Sequence, residues 1–177
     1  MKPFLKDDLI TLRALEPEDI DLLYEWENSE DNWTVSQTIS PFSKHVLALY
    51  IKDSDKDIYA AKQLRLMISP NVGKSVGAID LFDFDPINQR VGIGILIHNK
   101  KDRSKGYATS ALNLMVRYCF EKLGIHQIYA NILTGNEASL KLFSKAGFQL
   151  TGTKKEWIRD EGIWKDEHLM QLWRKEM

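Results

Sequence analysis

The chain of 177 residues has a single cysteine, only five prolines and almost no net charge, with 24 basic residues against 25 acidic ones. Cys119 alone cannot form an internal disulfide, which fits a reducing, cytoplasmic compartment. The balanced charge excludes the broad positive field that draws nucleic acid or an anionic membrane surface, so neither is an expected partner. No apolar run approaches the ~18 residues of a membrane-spanning helix. The stretch "MKPFLKDDLITL" has no apolar signal-peptide core or cleavage site, so export is not expected. Linkers, repeats and low-complexity tracts are also missing, and residues 1–177 read as one domain. The four histidines (45, 98, 126 and 168) are scattered without metal-ligand spacing, so no metal is expected.

What is present is an ordinary folding composition, 44% hydrophobic and 28% charged. "DLITLRAL" alternates as a strand, and "EPEDIDLLYEWENS" reads as a helix with Pro17 in its first turn. The polar run from Glu27 to Thr38 reads as a loop, and "SKHVLALYIKD" as a second helix capped by Ser43. Residues 62–84 read as a hairpin, followed by a strand "QRVGIGILIH". Its Gly92 and Gly94 mark a bulge or a close approach to the backbone. Ala108, Ala111, Leu112, Met115, Val116, Cys119 and Leu123 then trace the buried stripe of a long helix ended by Gly124. A strand "HQIYANIL", a helix "NEASLKLFSKAG" and a final hairpin turning at 160–162 complete a β-α-α-β-β-β-α-β-α-β-β order.

Two phosphate fingerprints fail. "GKS" at 73–75 lacks the Gly that a Walker A loop needs at position 68 and is followed by a strand. "GIGILI" at 92–97 lacks the third glycine of a dinucleotide loop. "DRSKGYAT" at 102–109 survives as an Arg-x-x-Gly-x-Ala loop between a strand and a helix. The free N–H groups and partial positive charge of a helix N-terminus suit a pyrophosphate. An ordinary solvent-exposed helix start fits this loop equally well when it is taken alone.

The ordered pair "RSKGYA" and "NEASLKLFSKAGF", behind a glycine-bearing strand, resembles the GNAT superfamily of acetyl-coenzyme A-dependent N-acetyltransferases, most of all the branch of ribosomal-protein N-terminal and spermidine acetyltransferases. The resemblance runs over most of the chain. It implies a mixed α/β (α+β) GNAT fold with a twisted, mostly antiparallel sheet of about seven strands flanked by about four helices. It also implies acetyl transfer from acetyl-coenzyme A, as cosubstrate, to a primary amine in a ternary complex.

In that resemblance the amides of Arg103, Ser104, Lys105, Gly106, Tyr107, Ala108 and Thr109 hold the pyrophosphate. The backbone of Ile95, Leu96 and Ile97, with Asn131 on the next strand and Asn136, serves the pantetheine, and one of these strand amides polarises the thioester carbonyl. Glu156 is the implied base, with Trp157 and Trp164 as an apolar wall, and an exposed strand glutamate paired with Lys154 or Lys155 is its plain alternative. Many relatives place a tyrosine where this chain has Phe143, and the resemblance implies Ser139, matching a serine of the ribosomal-protein branch, as the donor to the thiolate, with a plain first-turn helix residue as its alternative. Asn136 reads equally as the cap of its helix. The acceptor is a protein N-terminal α-amine, a polyamine or a small antibiotic-type amine. "EWENSEDNW" offers Glu25, Glu27, Glu30 and Asp31 as a solvated helix end or a polycation lure. A homo-oligomer is compatible with the sequence. A catalytically idle acyl-coenzyme A-binding or regulatory domain is the reading that Phe143 keeps open.

Overall fold

A computed structural model describes residues 3–174. The alternating segments become strands because each can bury one face: β1 (Ile10–Arg13), β2 (Leu64–Pro70), β3 (Gly77–Asp85), β4 (Arg90–Ile97), β5 (Gln127–Leu133), β6 (Gln149–Asp160) and β7 (Ile163–Trp173). They form one sheet in the order β1-β2-β3-β4-β5-β7-β6, antiparallel throughout except where β4 meets β5. The seven-stranded, mostly antiparallel α+β expectation holds.

The helices number six among the described residues rather than about four: α1 (Ile20–Glu27), α2 (Trp33–Ser36), α3 (Lys44–Asp53), α4 (Ile58–Ala61), α5 (Tyr107–Arg117) and α6 (Glu137–Lys145). The two additions, α2 and α4, are single turns, too short to show a 3.6-residue period. The run from Glu27 to Thr38 is accordingly a short 3₁₀ turn at Glu30–Asn32 plus α2, not an open loop. Asp57 caps α4 through bonds from the N–H groups of Tyr59 (2.8 Å) and Ala60 (2.9 Å), and Ser43 caps α3 from Val46 (3.2 Å).

Two cores sandwich the sheet. On one face, Ile79, Leu81, Val91, Ile93, Ile128 and Ala130 pack with Leu112, Met115 and Cys119 under α5 and the π turn that continues it. On the other, Leu15, Leu23, Trp26, Leu47, Ile51 and Met67 join α1 and α3 to the first strands. Burial pushes the Cys119 thiol up to about 12, so it stays protonated and is core, not nucleophile.

Three irregularities interrupt the pairing. Pairing of β3 with β4 shifts register between Phe82 and Asp85, with Asp83 at φ 49°, and pairing of β6 with β7 shifts between Leu150 and Gly152 and again between Lys154 and Ile158, with Glu156 at φ 49°. The final hairpin turns at Glu161 (φ 47°) and Gly162 (φ 83°), two left-handed residues matching the strand twist.

Candidate active site

β4 and β5 stay paired over three positions only, Arg90↔Gln127, Val91↔Ile128 and Gly92↔Tyr129. Beyond Gly92 they part, while β4 continues to pair with β3 as far as Ile97↔Gly77. The β4 backbone groups that face away from β3 therefore have no strand partner over Ile95–Ile97, a row of donors and acceptors that an extended ligand can occupy. Gly92 helps set this branch point. A Cβ there would stand 2.2 Å from the ring of Phe82, which packs edge-on against Tyr129 at 5.8 Å.

The opening is a cleft of about 440 Å³ that passes between the two sheet faces. Ile95, Leu96 and Asn131 line it from the parted strands. From α6 it receives Asn136, Ser139 and Phe143, residues spaced to share one helix face. Asn136 caps α6, its Oδ1 accepting from the Ser139 N–H at 3.2 Å, and Asn131 accepts from the Lys154 ammonium at 3.2 Å. Thr134 donates instead to the Asp166 carbonyl at 2.9 Å. Phe143 is 3% exposed against Phe148, and among the described residues no tyrosine lines the cleft, so Ser139 is the hydroxyl that α6 presents there.

The loop at the end of β4 is built for an anion. Ser104 (φ 60°) and Gly106 (φ 86°) are both left-handed, and the first α5 bond runs from the Ser110 N–H to the Gly106 carbonyl at 2.9 Å. The N–H groups of Tyr107, Ala108 and Thr109 are left without acceptors, and no side chain caps them. A glycine is required at position 106 for its φ, and a Cβ there would also touch Leu9 at 3.5 Å. Arg103 plays a different part. Its guanidinium donates to the carbonyls of Ile97 (3.2 Å) and His98 (3.3 Å), tying the loop to the end of β4, and Lys105 reaches Asp102 at 3.2 Å.

Glu156 stands apart from these groups. It is exposed on the β6 bulge, outside the residues lining the cleft, and its N–H donates to Asp166 at 2.8 Å. Trp157 and Trp164 do not wall it in; they are 57% and 56% exposed and lie beneath the cations of Lys154 and Arg159.

The opposite mouth of the cleft holds groups that the sequence reading did not assemble. Arg65 donates from Nε to Asp80 Oδ1 (2.6 Å), from Nη2 to Asp80 Oδ2 (3.1 Å) and from Nη1 to Glu27, with the Tyr50 ring 5.5 Å from the guanidinium carbon. Although burial opposes its charge, the two carboxylates hold the Arg65 guanidinium well above its ordinary range. Glu167, 5% exposed, pairs with Lys154. His98 stacks on Trp26 at 5.6 Å, its Nδ1 3.2 Å from the Asn32 amide and its Nε2 3.8 Å from Glu25. Burial, seconded by Arg103, pulls the His98 pKa below its usual value against the pull of Glu25 and Asp31. The legible signal for Arg65 and Asp80 was a charge alternating with apolar neighbours, as in Leu64-Arg65-Leu66 and Ile79-Asp80-Leu81.

Residues 10–149 match the family model described as an acetyltransferase (GNAT) domain. The chain belongs to the GNAT family. It is an acetyl-coenzyme A-dependent acetyltransferase. A probable N-acetyltransferase of Bacillus subtilis, YjcK, is 30% identical over 98 residues, which is 55% of this chain and 54% of that protein. The spermidine N(1)-acetyltransferase of Escherichia coli K12 is 25% identical over 145 residues, 81% of this chain and 74% of that protein. In three dimensions the fold superposes on spermidine N-acetyltransferase from Vibrio cholerae, crystallised with CoA and spermine, at a TM-score of 0.85, with 22% identity over 94% of this chain and 96% of that one. Among the described residues, no helix of this GNAT chain is long and apolar enough to cross a membrane.

Proposed function

We propose that the protein moves the acetyl group of acetyl-coenzyme A to a primary amine of a cationic acceptor, a polyamine foremost, by direct attack in a ternary complex. The observation that carries this is the cleft itself. It is lined by the parted strands and α6 and has a carboxylate-rich mouth, while the uncapped amides of α5 lie beyond the end of β4, outside its lining. The pyrophosphate would rest on the N–H groups of Gly106 to Thr109, and the pantetheine along Ile95–Ile97, with Asn131 and Asn136 beside it. When bound, the cosubstrate supplies an activated acyl group. The residues of this chain orient it, offer an oxyanion donor from the β4 backbone and admit the amine from the far face.

Ser139, in the cleft and one turn from Asn136, would donate to the departing thiolate. The similarity to spermidine acetyltransferases supports a polyamine acceptor, as does the net negative charge of the lining residues Glu27, Asp80, Glu167 and Arg65. A cytoplasmic location accords with such an acceptor. Thiol release from acetyl-coenzyme A, followed over a panel of spermidine, spermine, an N-terminal peptide and an aminoglycoside, tests the reading. Turnover is expected with the polyamines first. Coenzyme A binding without turnover on any amine would leave the idle-domain reading instead.

A further inference from the structure

We propose that Asp80 is the proton acceptor of the transfer, positioned by Arg65 and Glu27; this rests on the amine-transfer reading above. Asp80 on β3 lies opposite Gly94 on β4, one residue from Ile95, where β5 has already turned away. A Cβ on Gly94 would meet nothing nearer than Phe82 at 3.9 Å, so no side chain stands between the Asp80 carboxylate and the β4 backbone. Adjacent strands are about 4.8 Å apart, so the Asp80 backbone lies one strand spacing from that of Gly94.

Charge points the same way. One guanidinium serves two carboxylates, so the Glu27–Arg65–Asp80 triad carries a formal charge of −1, and all three residues line the cleft. An ammonium group entering the mouth would neutralise it. Each Asp80 oxygen accepts one bond from Arg65. A carboxylate has about four acceptor sites, so room remains for the N–H of an amine. The other cleft carboxylates are worse placed. Glu167, on β7, is held by Lys154 of β6, and Glu27 belongs to α1, behind Arg65.

The entering ammonium first gives one proton to water. The lone pair so freed forms the C–N bond at the thioester carbon, and the nitrogen, again cationic, becomes acidic enough for a carboxylate. One N–H proton passes to Asp80 Oδ and later to solvent. The C–S bond breaks with its electron pair on sulfur, which takes a proton from the Ser139 hydroxyl, itself restored from water.

The test compares wild type, Asp80→Asn and Asp80→Glu with spermidine and with a fluorinated ethylamine, a weak base whose attacking nitrogen sheds its proton to water unaided. Asp80→Asn is expected to lower kcat/KM for spermidine about 10²- to 10⁴-fold, to lower it less than about tenfold for the weak base, and to leave coenzyme A affinity within about threefold. Asp80→Glu is expected to recover part of the spermidine rate. A spermidine kcat/KM within about threefold of wild type, an equal loss on both amines, or a spermidine loss confined to KM with kcat unchanged would overturn the assignment, since the charge of the triad alone attracts an ammonium without taking its proton. If Asp80→Asn fails to bind coenzyme A, Asp80→Glu alone decides. A larger loss for spermidine than for the weak base supports the proposal, and no difference overturns it. Absence of turnover in the wild type would instead defeat the transfer reading on which the proposal stands.

Discussion

Gly92→Ala perturbs the branch point at which β4 and β5 part. A Cβ at position 92 would lie 2.2, 2.5 and 2.6 Å from three carbons of the Phe82 ring. Ordinary contact begins near 3.4 Å, so the ring must retreat by about 1 Å, and its edge-on contact with Tyr129 at 5.8 Å must break or move with it. Overpacking of this kind costs about 1–3 kcal/mol. For a chain of this size each kcal/mol lowers Tm by roughly 2–4 °C, so a fall of about 2–12 °C is expected by calorimetry. Phe82 also lines the cleft, and the displaced ring should raise KM for the acceptor more than it weakens coenzyme A binding. The control is the Phe82→Leu background, where the obstructing ring is gone. There Gly92→Ala should cost less than about 0.5 kcal/mol, a strong coupling between neighbours. An unchanged Tm for the single variant, or an equal loss in both backgrounds, would refute the role assigned to this contact.

Other outcomes follow from the same geometry. Ser139→Ala should lower kcat about 10- to 100-fold with little change in acceptor KM, and an unchanged kcat would remove the hydroxyl from the mechanism. Gly106→Ala, forcing a Cβ into φ 86°, should weaken coenzyme A binding measured by calorimetric titration and cost about 1–2 kcal/mol in stability. Burial would raise the Asp19 pKa, but its fork to Arg13 (2.7 Å on both arms) and the Glu16 N–H outweigh this and lower it. Its contribution to stability is therefore full above the unfolded value of about 3.9 and is lost as pH falls through the lower folded value. Asp19→Asn should flatten that acid limb of the melting curve. His98, also lowered, contributes stability that is full above about 6.5 and lost as pH falls toward its folded pKa. His98→Asn should remove the corresponding slope in Tm.

The sequence was most legible where one physical rule dominated. Alternation in "AIDLFDF" and the stripe from Ala108 to Cys119 report half-buried elements directly, and the "RSKGYA" loop carries its glycine where a left-handed φ is needed. Single-turn helices such as Trp33–Ser36 leave no period to read. The bulges at Asp83 and Glu156 put non-glycine residues at positive φ, so no glycine marked them, and alternation fails silently there. The second bulge bears on Glu156 in particular, whose side chain is exposed outside the cleft. The insertion of β7 between β5 and β6 brings Glu167 to the cleft wall, and the Glu27–Arg65–Asp80 triad joins three elements. Both are products of packing between distant segments, which local pattern does not encode.

Direct transfer requires donor and amine to be bound together in one cleft. An initial-rate matrix varying acetyl-coenzyme A against spermidine tests it most directly. Reciprocal plots that intersect, as expected for a ternary complex, are the predicted result; parallel lines, the mark of an acyl-enzyme, or no thiol release at any concentration would contradict it.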